Sequence, residues 1–401
     1  MGSLKRSFLQ AFAAFGLLFA FAADAAAGET TEIKIGYLRG AEQKPAISLL
    51  DVASPDAGLA GAELAVADNN TTGRFLNQQF SITDVTLGPD EDPAAALQKL
   101  GDSGISLVVT DLPAASLLKA ADAGRARGML FFNAAALSDA LREEDCRADV
   151  IHVAPTRSML ADGLAQYLVW KQWLKWVLVT GSHPEDKLFA DALKRAALRF
   201  GAKIVGEKVF EDKGGARQSD SGLAQVQQQI PLFTQGLPDH DVLLAADESA
   251  VFAAYLPYRT KMPRPVAGSA GLVPTSWDPS MEQWGATQLQ NRFVKRFSRR
   301  MQALDMQAWT AVRMIGEAGV RGGSGEPAKM LAYMKSPQFS IAAFKGQKLT
   351  LRDWNLQLRQ PILLFDGRNT VSVSPQEGFL HQVSELDTLG LDRPETKCKL
   401  K

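Results

Sequence analysis

Very little in this chain invites catalysis. It holds only 2 cysteines and 4 histidines among 401 residues, and none of them is paired at ligand spacing, which argues against a dedicated metal site. Complete nucleophile, phosphate and hydride signatures are missing as well. Gly322-Gly323-Ser324-Gly325 is followed by Glu326, so a nucleophile-elbow pattern fails. No G-x-G-x-x-G follows a strand pattern, and no P-loop occurs. The acidic pair Glu143-Glu144 lies in a polar stretch whose spacing implies no acid–base work. Charge of one sign is absent too: 44 Lys and Arg balance 44 Asp and Glu, so no overall basic field attracts nucleic acid or an anionic membrane. Past the first residues, no apolar run approaches the roughly 18 residues that mark a spanning helix, which argues against membrane insertion. The chain is therefore not expected to be an enzyme.

What is present starts at the N-terminus. Lys5 and Arg6 precede an apolar run from Phe8 to Phe21 and small residues ending in Ala25-Ala26-Ala27. This is the pattern of a signal peptide over residues 1–27, cleaved before Gly28. An uncleaved membrane anchor is the alternative, but no charged stop-transfer flank follows. What remains exceeds the length that one hydrophobic core usually organises, so two domains are expected. In an exported chain, Cys146 and Cys398 are expected to form one structural disulfide, the alternative being two free thiols.

Short β-rich runs alternate with helical patterns from Ile33 onward. Strands are expected at Ile33–Leu38, Phe80–Leu87, Ile105–Thr110 and Met129–Asn133, with helices at Gly58–Asn70, Pro93–Leu100 and Ala114–Arg127. The pattern pauses over the polar stretch Ser138–Asp149. It restarts as a second unit with strand Val150–Ala154, helix Thr156–Trp173, strand Trp176–Thr180, helix Asp186–Phe200 ended by Gly201, and strand Lys203–Phe210. A helix from Leu223, strand Asp241–Ala246, helix Ala250–Tyr258 and strand Pro265–Gly268 complete that unit. Such alternation predicts parallel sheets covered by helices on both faces, an α/β class of fold. Helices Gln288–Gln302, Ala308–Val320 and Pro327–Met334 come next. Then Lys348–Arg359, Pro361–Phe365 and Val371–Val373 read as strands, with an Asp366-Gly367 turn between the last two. Arg292, Lys295, Arg296, Arg299 and Arg300 form a basic helix face, ordinarily a solvated surface, with a partner contact as the alternative.

In its order of elements the chain resembles the type I periplasmic binding proteins of ABC transporters. The residues that carry the likeness are Ile33-Lys-Ile-Gly36, Gly58-Leu-Ala-Gly-Ala-Glu-Leu-Ala65, Arg292-Phe-Val-Lys-Arg-Phe297, Ala308-Trp-Thr-Ala-Val-Arg313 and the late hairpin. The likeness implies a periplasmic protein of two doubly wound parallel-sheet lobes joined by a hinge. Residues 28–149 plus 278–345 would form lobe 1, residues 150–277 plus 346–380 lobe 2, and residues 381–401 a C-terminal tail. Leu141-Arg-Glu-Glu-Asp-Cys146, His152-Val-Ala-Pro-Thr-Arg157, Lys171-Gln-Trp-Leu-Lys-Trp176 and Asp387-Thr-Leu-Gly-Leu-Asp-Arg-Pro394 look like the subgroup associated with pyrroloquinoline quinone (PQQ) dependent alcohol oxidation. That finer likeness implies capture of PQQ as a bound ligand rather than a catalytic cofactor, for uptake or delivery. Two alternatives stand beside it: an ABC-transporter binding protein for an amino acid or other small carboxylate, working with an ABC permease, or a partner or sensor of periplasmic PQQ-dependent dehydrogenases. Thr110-Asp-Leu-Pro-Ala-Ala-Ser116, acidic and without glycine, is a poor cradle for an α-carboxylate.

In open α/β sheets ligands lie beyond the carboxyl ends of the strands. The positional candidates are therefore Arg39, Thr110, Asp111 and Asn133 on one lobe, and Thr156, Arg157, Ser158, Ser182, His183, Asp247 and Glu248 on the other. PQQ carries three carboxylates and an ortho-quinone on a planar ring system. It asks for cations, where arginine forks suit best, for donors, and for a flat aromatic surface. Arg39, Arg142 and Arg157, with Lys44 nearby, are the candidate cations, and His183 a candidate donor. Trp277 and Trp284, in a polar crossover, are the candidate platform. A surface or capping role is the ordinary reading of each cation taken alone, and a hinge or interface role is the alternative for each tryptophan. Trp170, Trp173, Trp176 and Trp309 are read as core.

Overall fold

The computed structural model describes residues 30–41, 53–213 and 220–400. The expected leader at 1–27 and the candidate Lys44 lie outside them. The first unit runs β1 (Thr31–Gly40), α1 (Leu59–Gly73), β2 (Gln78–Leu87), α2 (Pro93–Asp102), β3 (Leu107–Asp111), α3 (Ala114–Gly124), β4 (Leu130–Asn133) and β5 (Val150–His152). These strands form one parallel sheet in the order β2-β1-β3-β4-β5. Val108, Val109, Phe131 and Phe132 are wholly buried, which is why β3 and β4 read as continuous apolar runs rather than alternating ones. Val150–His152, read from the sequence as the start of the second unit, instead pairs with β4 and closes the first sheet. Three residues flanked by a polar loop and a helix carry too little pattern to announce which sheet they join.

The second unit follows as α4 (Arg157–Trp170), β6 (Lys175–Gly181), α5 (Pro184–Phe200), β7 (Lys203–Phe210), α6 (Asp220–Phe233), β8 (Val242–Ala246), α7 (Leu256–Arg259) and β9 (Val266–Gly268). Its sheet is parallel in the order β7-β6-β8-β9. Gly201 ends α5 in the left-handed region at φ 79°, a conformation glycine adopts without a Cβ penalty. The helix expected over Ala250–Tyr258 is a 3₁₀ turn at Ala253–Tyr255 followed by the single-turn α7.

After β10 (Val273–Thr275) the chain returns to the first lobe as α8 (Ala286–Phe297), α9 (Ala303–Gly322) and α10 (Pro327–Met334). The α9 helix lies against α1 so closely that a Cβ on Gly61 would sit 1.9 Å from the Asp305 carbonyl oxygen. Along the same seam, Asn69 Nδ2 donates to the Val312 carbonyl at 2.9 Å. Of the expected basic face, Arg292 of α8 pairs with Asp68, and Arg299, beyond the end of that helix at Phe297, pairs with Asp56 and Asp305. β11 (Ile341–Ala342) and β12 (Lys348–Leu349) form a small ladder; β13 (Ile362–Phe365) and β14 (Thr370–Ser374) form the expected hairpin, which β10 joins on the other side. The strand expected through Arg359 stops at Leu349. Beyond it only isolated bridges remain, because the chain turns at Leu356, whose φ is 56°.

Each sheet has two apolar faces. One core joins the first sheet to α1, α8, α9 and α10, and another joins the second sheet to α4 and α5. The chain passes between them from Val153 to Met159, from β10 to Trp277, and from Leu358 to Ile362. Cys146 and Cys398 are disulfide-bonded, with their Cα atoms 5.7 Å apart. Among the described residues, no helix is long and apolar enough to cross a membrane.

Candidate functional site

In open α/β sheets a ligand site is expected beyond the carboxyl ends of the strands, in the loops that follow them. On the second lobe, α4 begins at one such loop, and its first-turn amides are all engaged. The Arg157 amide donates to the Leu137 carbonyl at 3.0 Å, the Ser158 amide to Asp139 Oδ2 at 3.3 Å, and the Met159 amide to Thr156 Oγ1 at 3.0 Å. Leu137 and Asp139 belong to the β4–β5 connection, so the first lobe caps this helix end.

From the first residue of α4 the Arg157 guanidinium reaches Glu248, which follows β8. Nε donates to Oε1 at 2.8 Å and Nη2 to Oε2 at 2.6 Å. The side chains are only 11% and 17% exposed. This is a forked, largely desolvated and internally neutral pair, the strong form of an arginine–carboxylate contact. Asp247, one residue earlier, is turned the other way. Its carboxylate accepts from the amides of Val251, Phe252 and Ala253 at 2.7–2.9 Å, a capping role that organises the loop presenting Glu248. The buried Asp186 of α5 accepts from the Ser249 amide and hydroxyl at 2.9 and 2.8 Å and from the His183 amide at 3.1 Å. It thereby fixes the β8 loop to the β6–α5 turn. His183 Nε2 lies 2.8 Å from Asp212 Oδ2.

The remaining candidates are placed differently. Arg39 spends its fork on Asp84 of β2, at 3.0 and 2.8 Å, and its last nitrogen on the Pro55 carbonyl. Thr110 donates to the Phe132 carbonyl at 3.3 Å, and Asn133 accepts from the Ala135 and Ala136 amides. Arg142 is 2% exposed and lies under the hinge. It donates to Gln357 Oε1 and to the carbonyls of Ala136, Ser138 and Ala154 at 2.7–2.9 Å, and burial lowers its pKa to about 9. Trp277 is packed in the first core with Met281 and Leu289. Trp284 is 49% exposed and lies over Gly346, where a Cβ would meet its ring at 2.6 Å. Of the sequence candidates, then, Arg157, Asp247 and Glu248 meet in one place, with His183 joined to them through Asp186. Arg39, Arg142 and the two tryptophans are not held in that cluster.

Two polar groups escape the sequence reading altogether. Lys345 is 4% exposed and donates to Gln360 Oε1 at 2.6 Å, while Gln360 Nε2 donates to the Val153 carbonyl. Burial pulls the Lys345 ammonium down to about 7. Gln357 ties Arg142 to the carbonyls of His152 and Ala154. Gln357 lies within an expected strand and Gln360 between two of them, and nothing local marks either as a hinge residue. Among the described residues no group of three His, Cys, Asp or Glu could hold a metal ion.

Two doubly wound lobes, crossed by the chain at one hinge and carrying a charged pair at their strand ends, make a clamshell. The family model for periplasmic binding proteins matches residues 52–368. The chain belongs to the periplasmic binding protein family. Solved structures agree on the type I fold of two lobes. A periplasmic binding protein from Burkholderia mallei is 16% identical with a TM-score of 0.66, the alignment covering 92% of this chain and 99% of that one. The leucine-, isoleucine-, valine-, threonine- and alanine-binding protein of Brucella ovis, in its closed conformation, is 13% identical with a TM-score of 0.67 over 92% and 99%. An ABC-transporter solute-binding protein from R. palustris in complex with benzoate is 15% identical with a TM-score of 0.64 over 92% and 100%. No curated protein matches the sequence. The family and these neighbours are solute-binding proteins rather than enzymes, and they imply a periplasmic location. They do not carry the finer likeness to the PQQ-associated subgroup.

Proposed function

We propose that this periplasmic binding protein is the capture subunit of an ABC transporter, and that it takes a small amino acid or related carboxylate solute between its lobes and hands it to a membrane permease. The observation behind this reading is the Arg157–Glu248 pair. A zwitterion can enter that pair without creating net charge: its carboxylate takes the Arg157 fork and its ammonium takes the Glu248 carboxylate. PQQ brings three carboxylates to a pair that offers one cation, and the other arginines put forward for its carboxylates are already bonded to acceptors. The structures with leucine bound, from Desulfitobacterium hafniense, and with benzoate bound, from R. palustris, point to solutes of the same size class.

The test is a thermal-shift and calorimetric comparison of the exported protein with leucine, other amino acids, benzoate and PQQ. A saturable rise in Tm with an amino acid or small carboxylate, and none with PQQ, is expected; at a hundredfold excess over Kd the stabilisation is about 2.7 kcal/mol. Arg157→Ala and Glu248→Gln should each weaken that binding by about tenfold or more, which corresponds to roughly 1.4 kcal/mol. Stabilisation by PQQ alone, or unchanged affinity in both variants, would overturn the reading.

A further inference from the structure

Beyond β14 the chain goes on making contacts with both lobes in turn. Residues 385–390 lie against the second lobe. Leu389 is fully buried in the core of α4 and α5, Thr388 Oγ1 accepts from Gln166 Nε2 at 2.9 Å, and the Gly390 amide donates to the buried Asp162 carboxylate of α4 at 2.8 Å. Asp162 in turn holds Arg195 and Arg199 of α5, so this anchor is shared by two helices.

The same short stretch is gripped by the segment that packs into the first core. Arg352 and Arg359 both donate to Asp387 at 2.9 Å, and Arg352 continues to the carbonyls of Leu386 and Leu389. The guanidinium carbons of Arg352, Arg359 and Arg393 lie 5.2–5.4 Å from the Trp354 ring centre, which adds cation–π contact to the clamp. Farther along, Glu143 of the β4–β5 connection accepts from Thr396 Oγ1 at 3.1 Å and from the Lys397 amide at 2.5 Å. Cys398 is then bonded to Cys146 of that connection.

We propose that residues 381–400 act as a brace: an added link between the lobes, seated on the second lobe at Asp162 and Gln166 and locked to the first by the Cys146–Cys398 disulfide, which limits how far the lobes swing apart. Lobes joined only by hinge segments rotate freely over an interface of modest size. Here any wide opening must either part Asp387 from its two arginines or pull Gly390 from Asp162. The disulfide prevents the tail from relieving that strain by peeling off the first lobe. The brace acts on the hinge whatever solute the cleft takes, so it stands or falls independently of the ligand assignment.

The experiment compares the exported wild-type protein with Cys146→Ser/Cys398→Ser and, with the disulfide retained, with Asp387→Asn. Each is followed without solute by amide hydrogen exchange and by small-angle X-ray scattering. In both variants, amides of residues 385–400 should exchange about tenfold faster or more, as expected of a segment released to local opening. The radius of gyration and maximum dimension should increase together with exchange in residues 153–156 and 359–361. If the tail loosens while scattering and hinge exchange stay at wild-type values, or if the tail remains protected in both variants, the brace is refuted.

Discussion

Arg142 shows how a buried cation is accommodated on neutral acceptors, with the nearby Asp139 charge acting on it but not bonded to it. Among the described residues it has no ion-pair partner, and its guanidinium is distributed over three carbonyls and the Gln357 amide oxygen. Replacing it with methionine keeps the volume but removes the donors from this set of buried acceptors. Arg142→Met is expected to lower the unfolding free energy by about 3 kcal/mol, measured by urea denaturation. A loss below about 1 kcal/mol would show that the carbonyls find other donors. The positions of the candidate residues, as distinct from any ligand role, were legible only where local sequence decides the outcome. Arg157 and Glu248 lie after strands, a placement that the strand-end rule supplies, whereas their pairing with each other is visible only in the structure. Arg39 failed as a free cation because of Asp84, a partner delivered by the β1–β2 register. Trp277 failed as a platform because its apolar neighbours arrive with α8 from the far side of the crossover.

At the scale of elements the α1–α9 seam decides whether the late helices belong to the first lobe. Gly61 faces the α9 backbone directly, and an alanine there would require α9 to move, since its Cβ would lie 1.9 Å from the Asp305 carbonyl oxygen. Gly61→Ala is expected to cost about 2–3 kcal/mol even though alanine is the better helix former, because overpacking outweighs propensity here. Equal or raised stability in thermal unfolding would mean that the two helices can slide apart without loss. Most elements were readable from their period, and Gly201 was read as the stop of α5; the start of that helix was placed two residues late, at Asp186 rather than Pro184. The larger failures share one cause. β5 and the Lys348–Arg359 stretch are short pieces that meet each other across some two hundred residues, where His152 bridges to Gln357 and Gln357 Nε2 donates to the His152 carbonyl. Such pairings leave no local period to detect.

For the whole molecule, the hinge carries a titratable group that no carboxylate among the described residues neutralises. Lys345 donates to Gln360, which holds the Val153 carbonyl, so one ammonium connects the first and third crossings. Burial draws that ammonium down to about 7, whereas an unfolded lysine keeps its proton to about pH 10. Between those limits the unfolded chain binds more protons than the folded one, and stability therefore rises with pH across this window. The slope from this one residue reaches at most about 1.4 kcal/mol per pH unit, and below pH 7 both states are protonated and the slope vanishes. Urea unfolding of the wild type and Lys345→Met should therefore give free energies whose difference shifts in favour of the wild type from pH 7 to pH 9.5, the contributions of other groups cancelling between the two proteins. Parallel pH profiles would show that the ammonium is solvated, and the hinge would then have to be held by its backbone and its two glutamines alone.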